Sequence, residues 1–224
     1  MPGKFTRERP SPRYLELLAQ YRTMHLEGEK SSGLPAAQTF PGKSLAPQAV
    51  RIKCLIDATR AANILDYGSG KGTQYLSHAL EGGAVGQFDS VQDYWGVDFI
   101  QCYDPGYLPF GALPAGQFDG VVCTDVLEHC PEEDLAWIIG ELFGYATLFV
   151  FASVAVYPAG KHLPNGENAH ATIRDPLWWY GLFSAAARPG LRWEVWLDHR
   201  DRLADGSFVR REVAIGDAHP VPAT

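Results

Sequence analysis

Three stretches of the chain combine residue types and spacings that suit chemistry. The first is ILDYGSGKGTQY, Ile64 to Tyr75, in which Asp66 precedes Gly68, Ser69, Gly70 and Gly72. Glycines let a backbone approach a ligand closely and adopt positive φ. Two phosphate-binding patterns fail here. A Walker A loop needs Ser or Thr after Gly-Lys, but Gly72 follows Gly70-Lys71, and a dinucleotide fingerprint needs a glycine where Thr73 stands. An acid beside the loop disfavours a pyrophosphate and suits a cationic ligand. The second stretch, FDGVVCTDVLEHCPEEDL from Phe118 to Leu135, brings Thr124, Asp125, Glu128 and His129 close together in sequence. A carboxylate at Asp125 suits an ammonium, or accepts a proton as a general base. The third, YPAGKHLPNGENAHATIRDP from Tyr157 to Pro176, concentrates Lys161, His162, Asn165, Asn168 and His170. Polar loops on a rigid scaffold are where function concentrates. His170 and Asn165 therefore join Asp125 as catalytic candidates. Trp178, Trp179 and Tyr180 follow directly. Three adjacent aromatics cannot all face a core from one helix, so Trp178 is assigned to the site or its lid.

These stretches need elements to position them. Ser11-Pro12 reads as an N-cap with Pro at the first helical position, and Tyr14, Leu17, Leu18, Tyr21 and Met24 recur at helical spacing up to Gly28. A long Gly/Pro/Ser-rich loop, Lys30 to Gln48, has the character of a lid or linker. A helix is expected over Pro47–Arg60, a buried strand over Asn63–Tyr67 and a helix over Thr73–Leu80. The stretch Glu81–Gly96 reads as irregular, followed by strands at Val97–Tyr103 and Phe118–Thr124. Pro131 and three acids open another helix, Thr147–Tyr157 is a continuous apolar strand of the parallel kind, and Asp175-Pro176 caps a further helix. Arg192–His199 and Ser207–Ile215, joined by a turn containing Asp-Gly, close the chain as a hairpin. Strands alternating with helices and then a hairpin predict an α/β fold. Its sheet is doubly wound and mostly parallel, closed by an antiparallel C-terminal pair.

Composition narrows the function. The chain has 224 residues, is 46% hydrophobic and carries a formal charge of −7, which argues against a general nucleic-acid binder. Residues 1–60 hold ten Lys/Arg against five acids, leaving nine against 21 in the remainder, so a basic N-terminal segment is expected over an acidic body. The N-terminus lacks an apolar signal region, and the apolar run Leu148–Val156 is too short to span a bilayer. Cys54, Cys102, Cys123 and Cys130 show no C-x-x-C spacing. The expectation is a cytoplasmic protein with reduced thiols, no membrane association and no metal.

Taken in order, ILDYGSGKG and the Phe118–Leu135 stretch resemble the class I S-adenosylmethionine (SAM)-dependent methyltransferases, over roughly Gln48 to Ile215. The resemblance implies a Rossmann-like sheet with SAM as cofactor, contacted by Asp66, Gly68, Ser69, Gly70, Thr124 and Asp125. It also implies an acid after the second strand that binds the ribose hydroxyls. Asp89 has the usual spacing, but Asp104 ends the better strand and is preferred; the third strand of the family is then short or missing. In that family the Glu128-His129 pair largely organises its loop. The family often covers SAM with a helix and loop before the first strand. This places Tyr14 and Tyr21, with His129 and Trp178, on the lid and substrate side, and Phe40 and Lys43 in the cover. Residues 1–46 form the lid segment and 47–224 the SAM-binding domain. Because the sheet starts at Asn63, residues 1–28 are expected to be dispensable for folding but needed for turnover. The implied activity is methyl transfer to a small molecule. One alternative is a SAM-cyclising enzyme that forms azetidine-2-carboxylic acid and methylthioadenosine. Another is an inert SAM-binding regulatory module.

Overall fold

The computed structural model describes residues 4–30, 32–78, 84–203 and 205–218. Six strands form one sheet: β1 (Asn63–Tyr67), β2 (Phe99–Tyr103), β3 (Phe118–Thr124), β4 (Ala146–Ala155), β5 (Arg192–Arg202) and β6 (Phe208–Gly216). Their order is β2-β1-β3-β4-β5-β6, parallel except for β6, which pairs antiparallel with β5. The fold is the expected doubly wound α/β sheet with a closing antiparallel pair.

Both faces of the parallel strands are covered, so successive residues alternate between two buried layers. Leu65, Val121 and Val150 pack against α4 (Glu132–Tyr145) and α5 (Pro176–Ala186). Ile64, Val122 and Phe149 pack against α2 (Ala49–Thr59) and α3 (Val91–Trp95) on the other face. The cap signals act as their chemistry demands. The Ser11 side chain accepts from Tyr14 N and that of Asp175 from Trp178 N, opening α1 (Pro12–Glu27) and α5.

Two local expectations are corrected. Thr73–Leu80 does not form an α-helix: Thr73–Tyr75 makes one 3-10 turn, Leu76 is extended, and residues 79 and 80 lie outside the described residues. Gly72 is left-handed, Tyr75 turns its hydroxyl onto Asp66, His78 has φ +55° and Leu76 is exposed, so no apolar stripe stabilises a helix there. The Glu81–Gly96 stretch, expected to be irregular, contains α3, capped by Ser90 and ended by left-handed Gly96. Between β2 and β3 lies only a 3-10 turn, Leu108–Phe110, so no strand forms in that interval.

The N-terminal segment is bound to the body of the fold. The Arg7 guanidinium pairs with Glu141 on α4 and donates to the hydroxyls of Tyr67 (2.8 Å) and Tyr103 (3.0 Å) at the ends of β1 and β2. Ser11 N donates to buried Asp134 at 3.0 Å. Helix α1 then shares a small apolar cluster, Leu17 and Met24 with Leu163 and Ala169, with the loop after β4. Among the described residues no helix is long and apolar enough to cross a membrane, and the four cysteines are free.

Candidate active site at the switch point of the sheet

The chain leaves β1 to build β2 on one side and returns to build β3 on the other. Open α/β sheets bind ligands in the crevice beyond the strand ends at such a point. A cavity of about 760 Å³ lies there. Its walls include Gly68 and Gly70 after β1, Asp104 and Gly106 after β2, Thr124, Asp125 and His129 at and after β3, and Lys161 and His170 in the loop after β4. Tyr14, Tyr21, Met24 and His25 of α1, with Phe40, Lys43 and Ser44 of the following segment, form its roof.

One half is built around Asp104. Its two carboxylate oxygens accept from Gly70 N (2.9 Å) and Gly106 N (2.7 Å), fixing the β1 and β2 turns together. Each oxygen retains a further lone pair for a ligand. Burial pushes this carboxyl up to about 6, against the lowering pull of those N–H groups. Asp89, by contrast, stands 86% exposed, and His78 is its one ionic partner among the described residues. Above this half, Phe40 O accepts from Lys71 N at 3.0 Å and Pro41 O from the Thr73 hydroxyl, so the segment after α1 lies directly on the glycine turn. The His25 ring packs between Phe40 and Tyr107 and is held down to about 4 by burial and by Lys71.

The other half gathers Asp125, His129 and His170. Asp125 is exposed and left-handed at φ +61°, an uncommon state for a residue other than glycine. Its N–H bonds Ser153 O on β4. His129 Nδ1 stands 2.9 Å from Ala169 O and 2.7 Å from the Tyr21 hydroxyl, which itself donates to Ala169 O. His170 Nδ1 stands 2.5 Å from Tyr157 O. A carbonyl only accepts, so both Nδ1 atoms carry a proton, and in the neutral ring the lone pair is on Nε2. Burial holds the His129 imidazole below its ordinary value despite the opposing pull of Asp125. Glu128 works behind them: it is fully buried, Oε1 accepts from Ala155 N at 2.6 Å, and its main-chain oxygen accepts from Thr172 N. Asn168 braces the same loop, accepting from Ala159 N and His170 N.

Four assigned residues fall elsewhere. Asp66 is buried beneath the glycine turn, where one oxygen accepts from Gln74 Nε2 and the Tyr75 hydroxyl; burial pushes it up to about 7. Ser69 is buried beside it; neither lines the cavity. Asn165 caps an exposed turn, accepting from Glu167 N, because buried Leu163 anchors that loop from below. Trp178 lies against Arg13, Pro131 and Glu132 in a separate shallow groove, packed beneath Arg174. His162 is likewise exposed and away from the cavity. Among the cavity residues that sequence reasoning did not single out are Ser44, Gly106 and Arg200. Arg200 reaches the site only because β5 runs parallel beside β4, and its guanidinium lies over the Tyr157 ring at 4.1 Å.

No protein-family model matches the chain, and no curated protein sequence matches it. Among solved structures, the DhpI–SAH complex aligns at 17% identity over 89% of this chain and 79% of the other, with a TM-score of 0.31. The fold and site described above rest on the strand order and the cavity themselves.

Proposed function

We propose that the protein is a SAM-dependent methyltransferase acting on a small molecule. The observation that carries this reading is the joint placement of Asp104 and the Gly68–Gly70 turn in one half of the cavity, opposite Asp125, His129 and His170. A carboxylate beside a glycine turn, with no α-helix N-terminus behind it, disfavours phosphate and suits a ribose diol next to a cationic centre. SAM bound there would supply an activated methyl group on a sulfonium. Asp104 would accept from the ribose hydroxyls, with Phe40 and His25 roofing that half and Tyr107 stacked behind His25.

The acceptor would lie against Tyr21, Lys161, Tyr157 and Arg200. As its bond to the methyl carbon forms and the carbon–sulfur bond breaks, its proton needs a base. Nε2 of the neutral His129 and His170 rings and the Asp125 carboxylate would supply that capacity. The rest of catalysis is alignment and exclusion of water by α1 and the segment after it.

The aromatic roof favours a second reading. Tyr21, Phe40 and His25 pack in a row over the cavity, and such faces stabilise a sulfonium by cation–π attraction. They suit an enzyme that cyclises SAM to azetidine-2-carboxylic acid with release of methylthioadenosine. Incubation with SAM alone, followed by product identification, separates the readings. The methyltransferase leaves SAM intact or yields slow S-adenosylhomocysteine. Stoichiometric methylthioadenosine would replace the first reading by the second. A protein that does not bind SAM at all refutes both.

A further inference from the structure

We propose that Asp125, His129 and His170 form a binding site for a single divalent transition-metal ion. One ligand atom from each lies within 4.8 Å of the others. Bonds of about 2.0–2.2 Å to one ion set its ligand atoms roughly 3–4 Å apart, so the three side chains would draw slightly closer to hold one.

Proximity alone would not distinguish an ion site from a cluster of bases; the orientation of the imidazoles does. Each histidine gives its Nδ1 proton to a main-chain carbonyl, His129 to Ala169 O and His170 to Tyr157 O. This is the arrangement that fixes the tautomer and ring plane of metal-bound histidine and leaves Nε2 free to coordinate. The two carbonyls belong to one loop, whose fold is locked by Asn168 through Ala159 N and His170 N. The site is therefore preorganised by backbone.

Two imidazoles and one carboxylate on one side of an ion suit iron(II), manganese(II), cobalt(II) or zinc(II), and leave open positions. Those positions face the acceptor half of the cavity. On the methyltransferase reading, the substrate class becomes a small molecule whose hydroxyl coordinates the ion. With the ion bound, Asp125, His129 and His170 are ligands rather than bases; coordination acidifies the hydroxyl, so that its proton leaves to solvent before transfer. The metal site itself stands independently of that reading.

The test titrates the full-length protein with cobalt(II) chloride, following the visible absorption of the bound ion and, in parallel, SAM affinity by calorimetry. The expected result is one equivalent of cobalt per chain. Affinity should fall at least tenfold in Asp125→Asn and in His170→Gln, and be unchanged in His162→Gln, an exposed histidine outside the cavity. Asp104→Ala should weaken SAM while leaving cobalt binding intact, which separates failure of the cofactor reading from failure of this one. Absence of cobalt binding, or equal binding in wild type, Asp125→Asn and His170→Gln, would overturn the site.

Discussion

The carbonyl oxygen of Phe40 stands where a side chain on Gly70 would begin: a Cβ built there would be 2.5 Å from Phe40 O. Gly70 also has φ +59°. The glycine in the middle of the turn is thus demanded by the covering segment, not only by a ligand. Gly70→Ala should push the Phe40–Ser44 segment off the turn and strain the backbone, costing about 1–2 kcal/mol of stability. It should also weaken SAM binding. Thermal melts with and without SAM check this; an unchanged melting temperature refutes the close contact.

Asp104 and Asp89 make opposite predictions. Asp104→Ala removes the acceptor of two backbone N–H groups and the proposed ribose contact. SAM affinity should fall by about 2–3 kcal/mol. Asp89→Ala, at an 86% exposed side chain, should leave it unchanged. Calorimetric titration of both variants decides which acid serves the ribose.

Asp66 makes stability pH-dependent. Its folded-state value, raised to about 7 by burial, lies above the ordinary carboxylate value near 3.9. Its contribution is therefore fully present below about pH 4 and is lost as pH rises through 7. Asp66→Asn cannot ionise and keeps an oxygen for Gln74 and Tyr75. The variant's stability relative to wild type should grow between pH 5 and pH 8, on the order of 2 kcal/mol. Denaturant melts of the ligand-free proteins at both values measure the difference; a constant offset refutes the buried, proton-holding Asp66.

Arg7 ties the N-terminal segment to α4 and to the ends of β1 and β2 through Glu141, Tyr67 and Tyr103. Arg7→Ala leaves a partly buried Glu141 without its cation and should cost about 2 kcal/mol. Removal of residues 1–28 also takes away the Ser11 N–H that satisfies buried Asp134. The truncated chain is therefore expected to melt well below the full chain, contrary to what the position of the first strand suggested. A truncated protein with a native melting temperature would restore the view of an appended lid.

Much of the scaffold was legible because its causes are local. Asn63–Tyr67 and Phe118–Thr124 are short apolar runs whose buried faces leave no alternative to strands. Ser11 and Asp175 supply cap oxygens to N–H groups three residues on. The order of these elements implied a doubly wound sheet, and with it a cavity at the ends of β1 and β3. Which residues face that cavity was decided by distant pairings. Asp66 is the penultimate residue of β1, but Tyr75 and Gln74 fold back over it, because the helix expected after Gly72 does not form. Asp104 takes the cavity position because β2 pairs with β1 in a register that brings Tyr103 beside Tyr67. His129 and His170 meet because Glu128 pins the turn after β3 to the end of β4 and to Thr172. Local sequence sets propensities and caps, whereas the direction a loop side chain points depends on which other loops the strand order places against it.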